Sequence, residues 1–363
     1  METSCAHDEK QEKKIKNSKK KNFLSIFYPQ GRIRIFTYTV KQKSVDSFRG
    51  NRCIILSMSQ VTIIRKTGAS AEKGLSKDDY IVMLNAGLER HLKALSLGNR
   101  LRNLLPGRVI GMKTNCLAGK LNSTPIALTE AIGDLLVTEG IDENNLVIWE
   151  RQSWELEKAG YKLNASSFGR RCFGTDSSIA GYSRDFYNSG KANSLITRIM
   201  TDIVDSNINL PVLKDHSIAG LSGGLKNMFG AINNPNKYHA DNCNPYAAHV
   251  SSLEPIRSKN KLTIIDAVKV QYNMGPGYDS RYLDFYGGLI ISSDPVAADR
   301  IGLEILEHIR GRHNQPTLEV AGRPVKYLKE AEEIGLGTAD PKKIAVDVIQ
   351  INSNGRVGKG EMF

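Results

Sequence analysis

The sequence predicts an α/β protein in which a mainly parallel sheet, or two such sheets, is flanked by helices in Rossmann-like layers. From residue 60 onward, short β-branched segments alternate with amphipathic segments of helix length, which is typical of parallel α/β architecture. The chain has 363 residues, enough for two lobes. We therefore place a first α/β lobe at residues 58–255 and a second at residues 256–352.

The first lobe contains four predicted strands, where β-branched residues cluster, and three predicted helices, where apolar residues recur at helical spacing. The strands are expected at 61–65, 107–113, 145–150 and 208–214, and the helices at 77–96, 124–140 and 194–206. Pro125 lies in the first turn of the second helix and Gly140 at its end, which are favourable positions. Residues 151–193 show no clear period, so we expect a long loop or a small insertion there.

The second lobe begins with two predicted strands, at 262–270 and 287–292. Asp294 and Pro295 then open a long helix, because an acidic residue caps the exposed amides and proline fits the first turn. A last helix at 325–334 and a strand at 344–351 complete the lobe. Residues 353–363 are expected to be flexible.

The positive charge of the chain is concentrated at its amino-terminal end. The formal net charge is +12, and residues 1–57 carry +8 of it. Like charges repel, so we expect this segment to be a disordered tail that is attracted to anionic surfaces. Met58 stands just before the first strand and is an alternative start of the chain. The small remaining charge indicates no specific nucleic-acid binding by the folded body.

Residues 20–24, KKNFL, resemble a twin-arginine export motif in which lysines replace both arginines. The segment that follows is broken by basic residues, so we expect a cytoplasmic protein; export is the alternative if the degenerate motif is read. No run of about 18 apolar residues indicates a transmembrane segment. The five cysteines include no Cys-x-x-Cys pair, which excludes a ferredoxin-type iron–sulfur cluster bound by this chain alone.

Polar residues follow several predicted strands. They lie at 113–115, at 214–216, from Asp266 onward and at 292–294. Because the carboxyl ends of parallel strands meet at one edge of a sheet, where ligands bind, we expect these segments to converge. Lys113, Asn115, Lys214 and Asp294 are therefore candidate ligand-binding residues.

A glycine-rich stretch, LPVLKDHSIAGLSGGLKNMFG at 210–230, combines a histidine and a lysine with residues that permit tight turns. A following helix would direct amide hydrogens and its positive end into the loop. The candidate binding residues of this stretch are Gly220, Ser222, Gly223, Gly224 and Asn227. His216 is a candidate for proton transfer and Lys226 for contact with an anion or for covalent chemistry. The alternative is a structural turn that carries these residues without function.

Downstream, the segment KYHADNCNPYAAH at 237–249 contains potential metal ligands. His239, Asp241 and His249 lie within it, together with Cys243. Imidazole, carboxylate and thiolate all bind divalent metals, although this spacing matches no standard zinc motif. The segment is therefore either a metal site or a polar surface loop.

Several blocks of the sequence resemble, in order and spacing, those of the domain of unknown function 362 family. They are VIGMKTN, INLPVLKDHSIAGLSGGLKNMFGAI, LTIIDAV followed by GPG, and IISSDPVAADRIG. The resemblance covers about residues 108–302. Members of that family are often linked to ferredoxin modules or to twin-arginine signals, which implies a ferredoxin-type protein as a partner.

The glycine loop also resembles that of the lactate racemase family, in which a histidine is followed by small residues and a lysine. His216 and Lys226 match these two positions. The resemblance implies an acid/base role for His216 and a nickel-pincer nucleotide attached to Lys226. The chain departs from that family where WERQSWE follows the strand at 145–150, in place of a second catalytic histidine, and at Asn242, near the expected nickel-binding histidine.

Two functions follow from these residues and resemblances. In the first, the chain is an isomerase or an oxidoreductase that binds a small carboxylate-type substrate or a nucleotide-like cofactor at the glycine loop, and His216 transfers protons. In the second, the same loop holds a divalent metal or a cofactor without catalysis, and the chain is an electron-transfer partner of another protein.

Overall fold

A computed structural model of the chain describes residues 58–66, 74–93, 97–352 and 355–363. The basic segment at 1–57, with its twin-lysine motif, lies outside the described residues. Within the described part, no helix is long and apolar enough to cross a membrane.

The strands of the described residues follow the predicted alternation with helices. They are β1 Ser59–Lys66, β2 Ile110–Lys113, β3 Leu146–Glu150, β4 Arg171–Gly174, β5 Tyr187–Ser189, β6 Ala192–Ser194, β7 Ser206–Asn209, β8 Val212–His216, β9 Gly220–Ser222, β10 Asn260–Gln271, β11 Leu283–Ser292, β12 Ile344–Ile351 and β13 Val357–Lys359. The α-helices are α1 Lys77–Leu92, α2 Gly98–Leu104, α3 Ile126–Thr138, α4 Ser153–Ala159, α5 Gly224–Asn227, α6 Tyr246–Ser251, α7 Glu254–Lys259, α8 Pro295–Arg312 and α9 Tyr327–Glu333.

Eleven of these strands form one mixed, mostly parallel sheet in the order β13-β12-β1-β11-β10-β7-β2-β3-β4, with β8 paired to β10 and β9 paired to β8. The α/β class and the mainly parallel sheet are confirmed. β11 runs antiparallel to both of its neighbours, β1 and β10. β13, in the segment that we expected to be flexible, pairs antiparallel with β12.

Both faces of the sheet are covered, which gives three layers. Alternate residues of a strand face opposite sides: Ile148 of β3 packs into a core that includes residues of α1 and α3, whereas Trp149 packs on the other side. In the same way, Ile64 of β1 faces α1, and Ile63 packs against residues of α8. The near-continuous apolar strands of the sequence are therefore strands buried on both faces.

Two segments differ from their predicted structure. Residues 151–193 are more than a loop, because they contain α4 and β4, and β4 extends the sheet parallel to β3. These elements have only seven and four residues, too short to show a clear period. The helix predicted at 194–206 is reduced to a π-helical turn at Ile199–Ile203.

The strand predicted at 208–214 is divided in two by Pro211, whose backbone nitrogen carries no hydrogen. β7 and β8 pair in succession along β10. β8 then turns back through β9 as an antiparallel hairpin in which His216 is opposite Gly220. The glycine loop is thus a hairpin followed by the one-turn helix α5.

The orientation of β11 changes where two of the predicted polar segments lie. Ser292 is opposite Thr263, near the beginning of β10, so Asp294 lies at the end of the sheet away from the carboxyl ends of the parallel strands. Asp294 caps α8, as predicted, by accepting hydrogen bonds from Val296 N and Ala297 N. Asp266 lies in the middle of β10 and is buried. The predicted convergence of four segments is therefore wrong for these two.

We expect Gly220→Ala to lower stability by roughly 3 kcal/mol or more. Gly220 has φ +75°, and a Cβ there would lie 2.4 Å from Arg323 O. Gly322→Ala is the matched control, because Gly322 has φ +73° but nothing within 4 Å of a Cβ. It carries only the left-handed backbone cost of about 1–2 kcal/mol. Urea denaturation of both variants measures the difference, and equal losses would contradict the steric argument.

Candidate functional site

A cavity of about 200 Å³ lies at the carboxyl ends of β2, β3 and β8. Many of the candidate residues identified in the sequence line it: Asn115, Lys214, His216, Ser222, Gly223, Lys226, Asn227 and His239. They come from three strand ends, from α5 and from the segment after it. The structure thus brings most of the glycine-loop candidates to one cavity, as parallel strand ends would require.

His216 is fixed in one protonation state by its own hairpin turn. Its Nδ1 accepts hydrogen bonds from Ile218 N at 3.1 Å and from Ala219 N at 3.2 Å. Burial, followed by the charge of Lys226, lowers the pKa of His216 to about 2. Nδ1 therefore carries no proton and Nε2 carries one, so the neutral ring is a hydrogen-bond donor. This state does not fit the predicted proton transfer by His216, which needs a pKa near neutrality.

His239 has the opposite arrangement. Its Nδ1 lies 3.0 Å from Pro235 O, which can only accept, so Nδ1 carries the proton and Nε2 has a free lone pair. Burial and the neighbouring Lys226 lower the pKa of His239. The rings of His239 and His216 lie 6.0 Å apart, centroid to centroid. The cavity therefore has one imidazole of each kind, a donor and an acceptor.

Two lysines of the cavity have no ion-pair partner among the described residues. Lys214 donates a hydrogen bond to Asn122 O at 2.8 Å, and Lys226 Nζ lies 4.1 Å from the centre of the Phe229 ring. Burial lowers the pKa of Lys214 to about 7 and that of Lys226 to about 8. Both amines therefore have pKa values at which proton transfer is efficient at neutral pH.

The acidic residues of the cavity are paired with cations. Lys113 Nζ, almost fully buried, donates to both carboxylate oxygens of Glu150, at 2.7 and 2.6 Å, and to Thr114 O at 2.6 Å. Arg151 Nη2 lies 3.3 Å from Glu155 Oε1. Lys113, a predicted ligand-binding residue, is thus engaged in an ion pair. Near pH 7 the unpaired Lys226 carries most of the excess positive charge of the cavity, and Lys214 carries part of it.

The amides at the start of α5 are not free for a ligand. Asp299 of α8 is fully buried, and its carboxylate accepts from Gly224 N at 2.5 Å and from Leu225 N at 3.0 Å. Burial raises the pKa of Asp299 to about 7, and the two amide donors act in the opposite direction. The role predicted for these amides, contact with an anion, is therefore performed inside the protein by Asp299.

A chain of side-chain amides connects α5 to the strand ends. Asn115 Nδ2 donates to Asn227 Oδ1 at 3.1 Å, and Asn227 Nδ2 donates to Asn209 Oδ1 at 2.8 Å. Asn209 Nδ2 then donates to Gly224 O at 2.8 Å. The Oδ1 atom of Asn115 is buried without a partner and belongs to a residue that lines the cavity. Asn115 is thus positioned to accept a hydrogen bond from a ligand.

The remaining candidates lie elsewhere or have other contacts. His249 is buried between Lys191 N, at 2.9 Å from Nδ1, and Glu330 Oε1, at 2.9 Å from Nε2. Asp241 is exposed, and Asp294 caps α8. Among the described residues, no group of three or more His, Cys, Asp or Glu side chains is arranged to hold a metal ion. The predicted set of His239, Asp241 and His249 is therefore not brought together.

Three residues of this region were not identified in the sequence as parts of a site. Glu150 and Glu155 belong to the WERQSWE segment, which gave only a departure from the racemase pattern. A possible signal for Glu155 was its position five residues after Glu150, the last residue of β3. Nothing local distinguishes Asp299 from a surface residue of α8.

Fold and site together define a three-layer α/β protein with a cationic cavity at the carboxyl ends of its parallel strands. The family model described as domain of unknown function (DUF362) matches residues 113–304, more than half of the chain. The chain therefore belongs to this family. No curated protein matches, so the resemblance to lactate racemases stays a prediction.

One solved structure similar to the chain is the crystal structure of a Thermotoga maritima protein, Northeast Structural Genomics Consortium target VR152. The two chains are 12% identical, and the TM-score is 0.37. The match covers 77% of this chain and 89% of that chain.

We expect Asp299→Ala to lower the free energy of unfolding by roughly 2–4 kcal/mol, because two buried amides lose their acceptor. Asp340→Ala is the control: Asp340 also caps a short helix, accepting from Lys342 N, but it is partly exposed. Its loss should be near 1 kcal/mol or less. Urea denaturation compares them, and similar losses would show that the contacts of Asp299 add nothing beyond an ordinary cap.

We expect Lys214→Met to be more stable than the wild type at pH 7, by roughly 1–3 kcal/mol. The pKa of Lys214 is about 7 in the folded protein against an ordinary 10.5, so between these values the unfolded chain binds more protons. The wild type therefore gains stability as pH rises through this window, and the gap between the two proteins should close toward pH 10.5. Urea denaturation between pH 6 and 10 measures it.

The exposed Lys329, 84% accessible in its side chain, provides the control variant Lys329→Met. This variant should show no such pH-dependent gap. A constant difference between Lys214→Met and the wild type over the whole pH range would mean that the Lys214 amine is not perturbed by burial.

Proposed function

We propose that the chain is an enzyme that binds a small anionic molecule of the carboxylate class in this cavity and transfers a proton on it, as an isomerase does. The observation that carries the proposal is the pattern of charges. Glu150 is held by two short contacts from Lys113 and Glu155 has one longer contact with Arg151, whereas Lys214 and Lys226 have no acidic partner among the described residues. A desolvated cavity with two unpaired amines is stabilised by a ligand that supplies negative charge.

Lys226 is suited to hold the anion. Its amine lines the cavity and lies over the ring of Phe229. No carboxylate among the described residues forms an ion pair with this amine, so none competes with a bound anion. A carboxylate that entered would raise the pKa of Lys226 again and keep it charged. Asn115, whose Oδ1 has no partner, can accept a hydrogen bond from a hydroxyl group of the same molecule.

His216 and Lys214 provide the groups for proton transfer. The Nε2–H of His216, held neutral by its hairpin, can donate to a carbonyl oxygen as negative charge develops on it. The neutral amine of Lys214 can take a proton from the carbon next to that carbonyl. The electron pair of the broken C–H bond then moves into the enolate, and the same amine returns the proton. The balance of atoms and electrons needs no further reactant.

A nucleotide-like cofactor does not fit the residues at this cavity. The amides of Gly224 and Leu225, which would contact its phosphate, already bind Asp299. The cavity of about 200 Å³ is smaller than the roughly 300–1,000 Å³ of pockets for drug-sized ligands, so it suits a small anion better than a nucleotide. Among the described residues of the cavity, His239 Nε2 is the imidazole nitrogen with a lone pair for a metal, and a single ligand does not hold an ion.

We expect Lys226→Met to weaken the binding of oxalate, a dicarboxylate analogue of an enolate, by roughly 10–100-fold. A hydrogen bond to a charged group is worth about 1.5–3 kcal/mol, and 1.4 kcal/mol is tenfold in Kd. Isothermal titration calorimetry at pH 7 measures this, with Lys329→Met as a control that should leave Kd unchanged. Exchange of pyruvate methyl protons with D2O, followed by proton NMR, tests proton transfer in the wild type. A wild type that neither binds oxalate nor accelerates this exchange would refute the proposal.

A further inference from the structure

Glu155 is a buried carboxyl group at the cavity that the proposed reaction does not yet use. It lies on α4, and only 2% of its side chain is exposed, yet it contributes to the cavity lining. It stands on the β3 side, whereas Lys214 stands on the β8 side. In the sheet, β2 and β7 separate β3 from β10, the strand to which β8 is paired. Glu155 and Lys214 therefore approach the cavity from different directions.

The hydrogen bonding of Glu155 is unlike that of a structural ion pair. Glu150, its neighbour at the cavity, accepts three hydrogen bonds, two from Lys113 Nζ and one from Arg151 N at 2.9 Å. Among the described residues, the carboxyl of Glu155 has one such contact, at 3.3 Å, with an Arg151 side chain that is 30% exposed. Buried charges retained for structure normally have several close partners. The geometry leaves one oxygen of Glu155 available to a ligand.

The surroundings of Glu155 favour its protonated form. Burial, and after it the charge of Glu150, raises the pKa of Glu155, while Arg151 and Lys113 act in the opposite direction. Burial also raises the pKa of Tyr182, and the charge of Glu155 adds a smaller effect in the same direction. A carboxyl whose pKa is raised and an amine whose pKa is lowered to about 7, both lining one cavity, are suited to act as acid and base.

We propose that Glu155 is a second proton-transfer residue of the cavity, acting as the general acid where Lys214 acts as the base. This inference rests on the proposed function. Lys214 takes a proton from the carbon next to a carbonyl, and the C–H electron pair forms a C=C bond. Glu155 gives its proton to the carbonyl oxygen, which receives the former π pair as an O–H bond. The enol proton then returns to Glu155 and Lys214 delivers a proton to the carbon, which re-forms the carbonyl compound with an exchanged C–H proton and restores both residues. The substrate class is an anion with a carbonyl group next to a C–H bond.

The experiment measures pyruvate methyl exchange in D2O and oxalate binding for the same set of proteins. Glu155→Gln should lower the exchange rate by roughly 10²-fold or more, the usual contribution of a general acid or base. Its oxalate Kd should stay within about twofold of the wild type, because a protonated carboxyl and an amide are both neutral. Glu157→Gln, an exposed neighbour on α4, is the control and should exchange at the wild-type rate.

The dependence of the exchange rate on pH separates a catalytic from a structural role. In the wild type the rate should fall on the alkaline side, as Glu155 loses its proton, and Glu155→Gln should lose this limb. Glu155→Asp keeps a carboxyl on a shorter side chain, so its exchange rate should be lower but should still fall on the alkaline side. This variant replaces Glu155→Gln in the test if Glu155→Gln does not fold. Thermal unfolding of each variant checks the fold.

The possible failures are distinguishable. If Glu155→Gln exchanges protons at the wild-type rate with an unchanged pH profile, while Lys226→Met has lost oxalate binding, Glu155 is structural and the proposed function stands. If the wild type neither binds oxalate nor exchanges pyruvate protons, the proposed function falls and the role of Glu155 falls with it.

Discussion

The buried carboxylate of Asp299 is the contact on which the candidate site depends. It binds the first two amides of α5 and so fixes a one-turn helix against α8. A helix of four residues has no stability of its own, because nucleation costs more than one turn of hydrogen bonds returns. Lys226 and Asn227 reach the cavity only because α5 is held in place. A Cβ on Gly223 would lie 2.4 Å from the same carboxylate, which explains the glycine before the helix.

The charge of the cavity results from how its ions are paired. Lys113 satisfies Glu150 with two short contacts, so that Glu150 cannot serve as a full counter-ion for Lys214. The charge of Glu150 has only a small effect on Lys214, whose pKa it raises against the larger effect of burial. The buried Lys113–Glu150 pair between β2 and β3 therefore keeps the carboxylate of Glu150 from neutralising Lys214. A buried ion pair often adds little net stability, because the cost of desolvating both charges offsets their attraction. Its effect on the charge of the cavity is therefore the clearer consequence of this pair.

The sequence specified most of the fold because its strands are buried on both faces and its helices are amphipathic. The same reasoning placed Asn115, Lys214 and His216 at one edge, since it needed only parallel strands. It failed for Asp294, because no local pattern shows that β11 runs antiparallel. It also missed Asp299 and Glu155. Their importance comes from residues far away in the chain, such as Gly224, and short elements like α4 give no periodic signal.

The glycine loop lines the cavity, but its backbone amides make contacts inside the protein. The sequence indicated amides that meet an anion, and the structure contains this contact, but the anion is Asp299. A second pair of amides, from Ile218 and Ala219, binds Nδ1 of His216 and holds its ring neutral. Both pairs are thus used to position side chains, and the glycines that permit these turns serve the same purpose. These four backbone donors are therefore occupied, and the proposed chemistry relies on side chains of the cavity. Burial lowers the pKa values of Lys214 and Lys226 and raises that of Glu155.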